Sequence, residues 1–105
     1  MGSQLFRRIE ARGMAGTLPP LSNTAMLVLY LAAMSAHDTG SETAPEACYF
    51  RGWEHLSRAM GYGWPSPSGR RAVARGIAEL EGAGLMKRDY WPDIDRRKAV
   101  YRLIV

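Results

Sequence analysis

Few residues of this chain are of the types that move protons, hold metals or form covalent intermediates. His37, Cys48 and His55 are its only histidines and cysteine, at gaps of eleven and seven residues. Zinc sites draw their ligands in close pairs, which this spacing lacks. Cys48 precedes an aromatic stretch and reads as a small core residue; His55 reads as a group bonded locally or facing water. Asp93 and Asp95 fall in "PDIDRR", a polar turn whose carboxylates are solvated rather than set up for acid–base work. "GAGL", residues 82–85, closes a helix instead of opening one after a strand, so it is no phosphate-cradling loop. No enzyme activity, metal or cofactor is expected.

Arginine offers other chemistry, because its planar fork matches phosphate oxygens and the edge of guanine. The stretch "SPSGRRAVARGIAELEGAGL", residues 66–85, concentrates it. Ser66 suits a helix cap, Pro67 the first helical position and Gly84 the end, which predicts a helix over 67–84. Set Ile77 at zero with a step of about 100° per residue, and Val73 falls at about −40° and Leu80 at about −60°. On the same wheel Arg71 falls at about 120° and Arg75 at about 160°, opposite the apolar side. Ala72, at about 220°, and Ala78, at about 100°, keep that outer side low in profile. Arg70, at about 20°, lies on the core side, where only the helix end frees it for an anion. The amides of Ser68 and Gly69 open the helix and are placed to hold a phosphate oxygen. Taken alone, the face is equally the wet side of a packed helix. In that case Arg75 and Glu79 form an i, i+4 pair worth about 0.3 kcal/mol.

Other elements must position this helix. "QLFRRIEARGMAG" puts Leu5, Phe6 and Ile9 on one side of a short helix from Gln4 to Arg12, ended by Gly13 and Gly16. This N-terminal arm, residues 1–20, either packs on the domain or serves dimerisation or DNA contact. "LSNTAMLVLYLAAMSAHD" predicts a helix capped by Ser22 or Asn23, with Leu27, Tyr30, Leu31 and Met34 at helical spacing. It is apolar nearly all round, as in a helix buried centrally or shared with a second subunit. "DTGSETAPEA" is a polar loop. Tyr49, Phe50 and Arg51 can form a very short strand, and Trp53, Leu56 and Met60 share one side of a short helix. "YGWPSPS" is a turn in which Trp64 covers the core between two helices. "LMKRDYW" and "KAVYRLIV" read as two strands joined by a turn, with Trp91 and Pro92 at its base. In the last strand Ala99, Tyr101 and Leu103 share one face.

At 105 residues and 47% hydrophobic composition, the chain suits one domain with its own core. Its net charge is +4, and the whole excess lies in one half. Residues 1–50 hold three arginines against four carboxylates, whereas residues 51–105 hold eleven Lys/Arg against six Asp/Glu. A localised excess of this kind is what capture of a polyanion requires. With Cys48 alone no intrachain disulfide can form, which suits a reducing compartment. The longest apolar run, Ala25 to Ala36, is well short of the roughly 20 residues that span a bilayer. It lies past Pro19 and Pro20 with no cleavage pattern behind it, so a cytoplasmic protein with no membrane role is expected.

The order of helix, short strand, short helix, turn, second helix and hairpin resembles the winged helix-turn-helix family of DNA-binding proteins. The likeness rests on "WEHLSRAMGYGWPSPSGRRAVARGIAELEGAGLMKR" and "RRKAVYRLIV". "LSRAMG" is similar to the motif's first helix, "SGRRAVARGIAELEGAGL" to its recognition helix and "MKRDYWPDIDRRKAVYRL" to its wing. It covers residues 22–105, about four fifths of the chain, and in character it resembles the small regulators of bacteria, phages and mobile elements. The seven-residue stretch from Gly61 to Pro67 is longer than the turn many members use.

The resemblance implies an α+β, mostly α fold of three core helices with a C-terminal two- or three-stranded wing, over residues 21–105. It implies a homodimeric regulator of double-stranded DNA, a repressor in the first instance, with helix 67–84 in the major groove and hairpin 86–104 as wing. Arg71 and Arg75 would then read bases, while Ser68 and Arg70 anchor phosphates. Arg96, Arg97 and Lys98 would grip the backbone from the wing tip, and Arg58 would add a contact from the preceding helix. Control would come from protein level or a protein partner. An origin-binding or excision factor of a mobile element, or a winged protein-interaction module, fits the same surface.

Overall fold

Ser22 ends one stretch of chain and begins a helix: its hydroxyl accepts a hydrogen bond from Ala25 N at 3.2 Å. Such a cap satisfies an amide that the helix itself leaves unpaired, and is worth about 1 kcal/mol. The computed structural model describes residues 3–36, 48–49, 52–89 and 100–105. Within them the chain is α+β and mostly helical, in the order α1 (Ser3–Ala15), α2 (Asn23–Ser35), β1 (Cys48–Tyr49), α3 (Gly52–Ala59), α4 (Pro67–Gly82), β2 (Met86–Asp89) and β3 (Val100–Leu103).

The second helix is the hub, packed against α1, α3, α4 and β1. Its buried side is not the large-residue stripe expected from spacing. Ala25, Val28, Leu29, Ala32 and Ala33 face the core, while Leu27 is 43% and Met34 54% exposed. The reason is close approach. Gly76 of α4 lies so near that a Cβ there would stand 2.7 Å from Val28 Cγ2. With no side chain of its own, Gly76 admits Val28 and the start of α2 at this distance, where any larger residue would hold them off.

The first helix is longer than the spacing predicts, running through Gly13 to Ala15 before Gly16, at φ 73°, turns the chain. Thr17 N and Leu18 N both donate to Arg12 O, at 3.0 and 3.3 Å. Leu5 and Ile9 are fully buried in the common core, and Phe6 stacks on Tyr30 with ring centroids 5.3 Å apart. This segment belongs to the core.

The three strands form an antiparallel sheet in the order β1-β3-β2. Tyr49 pairs with Tyr101, and Met86 with Leu103, and these four side chains are buried. Val100 is buried as well, so the last strand does not alternate strictly. Trp53 Nε1 donates to Tyr101 OH at 3.1 Å, and Tyr49 OH to Gly52 O at 2.8 Å, which ties α3 to the sheet. Ile104 N donates to Leu85 O at 2.8 Å and fastens the last strand to the exit of α4. Phe50 and Arg51, expected in the first strand, lie outside the described residues, as do His37, Trp91, Pro92, Asp93 and Asp95.

No helix among the described residues is long and apolar enough to cross a membrane. Among the same residues no group of three or more His, Cys, Asp or Glu is gathered as a metal would require.

Candidate nucleic-acid interface

The start of α4 is built as its sequence predicts. Ser66 Oγ accepts from Gly69 N at 3.1 Å, and Pro67 occupies the first turn, where an amide would go unused. That cap spends the Gly69 amide, which is therefore not free for a phosphate. The far end closes by a matching set of bonds. Leu85 N donates to Leu80 O at 2.9 Å and Gly84 N to Glu81 O at 3.1 Å, with Gly84 at φ 75°. This left-handed glycine exit satisfies the last carbonyls and returns Leu85 to the core beside Leu80.

What seats α4 against α3 is a pair of small residues. Ser57 is fully buried, and its hydroxyl donates to Gly63 O at 2.7 Å. Gly69 lies directly on it: a Cβ at that position would collide with Ser57 Oγ and stand 2.8 Å from Tyr62 Cβ. The turn itself passes through Gly61 at φ 91° and Gly63 at φ 76°, a backbone region that favours glycine. The spacing argument gives no packing role to Ser57 or Gly76 and considers Gly69 only for its amide. Their signal was two glycines seven residues apart, on one side of a helix otherwise free to hold alanine there.

These contacts rotate the buried side of α4. It comprises Gly69, Ala72, Val73, Gly76, Ile77 and Leu80. Ala72 is only 8% exposed, so it does not belong to the outer face where the wheel put it. Ile77 lies at the edge of the buried arc, not its centre, because two glycines rather than the largest side chains mark the closest approach.

Arg71 and Arg75 are exposed, as is Ala78 on the same side. The i, i+4 pair open to Arg75 and Glu79 does not form. Glu79 Oε2 instead accepts from Ser22 N at 2.7 Å, so this carboxylate reaches across to the start of α2, where the helix dipole favours negative charge. Among the described residues neither Arg71 nor Arg75 has an ion pair. Ser68 is exposed in the first turn.

Arg70 is exposed too, rather than turned to the core, and its guanidinium lies 5.1 Å over the ring of Trp64. Trp64 is half-buried and carries this arginine; it is not among the residues packed on the core. Arg58 is bound to Glu54 through Nε at 3.3 Å and Nη2 at 3.2 Å, both side chains being more than half exposed. A pair of that kind contributes about 0–1 kcal/mol, so an anion competes with Glu54 at little cost.

Arg96, Arg97 and Lys98 lie outside the described residues. The strands leading to them carry cations that sequence reasoning did not single out. Lys87 and Arg88 are exposed on β2, and Lys87 sits opposite Arg102 on β3. Like charges directly opposed across two strands disfavour the pairing. Only the register reveals that opposition, since fifteen residues separate the two in sequence.

The described surface thus offers forks of N–H donors and positive charge. In comparisons with known proteins, the chain matches no protein-family model, no curated protein and no solved structure.

Proposed function

We propose that this chain is a winged helix-turn-helix regulator that binds double-stranded DNA sequence-specifically, as a homodimer, and represses transcription by occupying promoter DNA. Supporting this reading is the order of elements, with α3, a turn and α4 followed by the β2–β3 hairpin. The observation that carries it is the outer side of α4. Arg71 and Arg75 stand one turn apart there with no ion pair among the described residues, because Glu79 is held at Ser22. In this reading α4 enters the major groove and the two arginines fork onto base edges. Ser68 and Arg70 hold phosphates at the helix start, and Arg58 adds another after releasing Glu54. Lys87 and Arg102 add charge along the hairpin strands, and in this reading Arg96, Arg97 and Lys98, outside the described residues, grip the backbone as well.

Two copies set their α4 helices in successive grooves, about 34 Å apart on one face of the duplex. The uncharged side of α2 with exposed Leu27 and Met34 supports self-association there. The test is fluorescence anisotropy on duplexes selected from the source genome and on scrambled controls, across salt concentrations. Affinity falls steeply with salt and keeps a sequence-dependent part. Replacing Arg71 and Arg75 together by Ala lowers affinity for the selected duplex by about ten- to a hundredfold, with the melting temperature unchanged. An unaltered affinity would remove α4 as the reading helix.

A further inference from the structure

The turn before α4 contains a contact that the DNA-binding reading does not use. Arg70 projects from the first turns of the helix, and its guanidinium rests 5.1 Å over the ring of Trp64, six residues earlier. The same arginine borders an open depression of about 280 Å³ whose other walls are Pro65, Ser66 and Pro67. Ser66 has its hydroxyl engaged as the cap of α4, so the guanidinium is the charged group at this depression. The remaining walls are largely the rings of two prolines.

An arginine on a free stem loses rotamer freedom when it grips an anion; one already stacked on a ring has lost part of it on folding. Resting over the ring, the guanidinium makes no side-chain hydrogen bond or ion pair among the described residues, so its N–H groups are available. Two of those N–H groups match two oxygens of one phosphate. Next to them, the proline walls present an apolar surface.

We propose that Trp64 is a positioning residue for DNA binding. Its ring holds Arg70 so that the N–H edge forks a single backbone phosphate, whose deoxyribose packs between Pro65 and Pro67. Trp64 acts through Arg70. The inference rests on the reading of α4 as the helix that faces DNA.

The experiment measures duplex affinity against salt for the wild type, Arg70→Ala, Trp64→Phe, Trp64→Leu and the Trp64→Leu/Arg70→Ala double variant, with a thermal melt of each. Trp64→Phe keeps a ring beneath the guanidinium; Trp64→Leu keeps apolar packing without one. Arg70→Ala lowers the slope of log affinity against log salt by about 0.9, the value for one phosphate. Trp64→Leu weakens binding about two- to fivefold, Trp64→Phe restores most of that loss, and the loss disappears in the Arg70→Ala background. Equal losses in the Phe and Leu variants, additive losses in the double variant, or an unchanged slope for Arg70→Ala overturn the inference while wild-type binding stands. A wild type with no salt-dependent duplex binding overturns the DNA-binding reading itself.

Discussion

Helices α2 and α4 lie against each other and each begins at a serine cap, yet they divide their surfaces in opposite ways. α4 exposes Arg70, Arg71, Arg75 and Glu81 and buries glycine, alanine and branched aliphatics. α2 has no charged residue between Asn23 and Ser35, buries mostly small side chains and leaves Leu27 and Met34 outside. At their contact Gly76 of α4 receives the Val28 side chain of α2. Close backbone approach, not maximal side-chain volume, decides which sides meet. The polar face of α4 is then left outside, and so is the surplus apolar face of α2 that carries Leu27 and Met34.

The comparison breaks most readily at the tight contacts of α4. Gly69→Ala gains about 1 kcal/mol of helix propensity but drives a methyl into Ser57 and Tyr62. Ser57 is buried and bonded to Gly63 O, so it has little room to yield. Overpacking together with a disturbed buried hydrogen bond gives a net loss of about 2 kcal/mol, read as a lower urea midpoint. A variant as stable as the wild type would mean that α3 and α4 are not seated through these two residues.

Smaller, and specific to the link between the two helices, is Glu79→Ala. It removes a carboxylate from the Ser22 amide and lowers stability by about 1 kcal/mol. In a double-mutant cycle with Arg75→Ala the coupling stays below about 0.3 kcal/mol, as for residues that share no bond. A larger coupling would restore the i, i+4 pair and weaken the case for a free Arg75.

The smallest effect on folding belongs to the outer side of α2. Replacing Leu27 and Met34 by Gln changes the stability of an isolated subunit by no more than about 0.5 kcal/mol. Its informative readout is assembly. If α2 is the dimer contact, sedimentation shows the variant monomeric at concentrations where the wild type is dimeric, and its melting temperature no longer rises with concentration.

How much of this was legible beforehand follows from charge and punctuation. In α4, Ser66, Pro67 and Gly84 announce their ends, and Arg71 and Arg75 stand far from Val73 and Leu80 on any wheel. α2 offers no such contrast: it is apolar nearly all round, so its spacing does not tell that Leu27 and Met34 point out. Ala72 was misassigned for a related reason: the wheel was centred on Ile77, the bulky residue, while Gly69 and Gly76 mark the side that lies closest to its neighbours. Glu79 and Arg70 were misread because local rules rank partners by sequence distance. Glu79 finds an amide 57 residues away, and Arg70 finds the ring of Trp64 across the turn.

By itself the sequence determined the helices, their caps, the two hairpin strands and the cationic outer side of α4. These depend on residue types within a few positions of one another, where hydrogen-bonding capacity and the helical period act directly. Tertiary structure alone decided which side of α2 is buried, that Ser57 and Gly69 are in contact and that Glu79 serves Ser22. It also decided that Lys87 faces Arg102 and that Trp64 supports Arg70. Each of these depends on the distance between segments remote in sequence, and that distance is set by how closely the smallest side chains let two backbones approach.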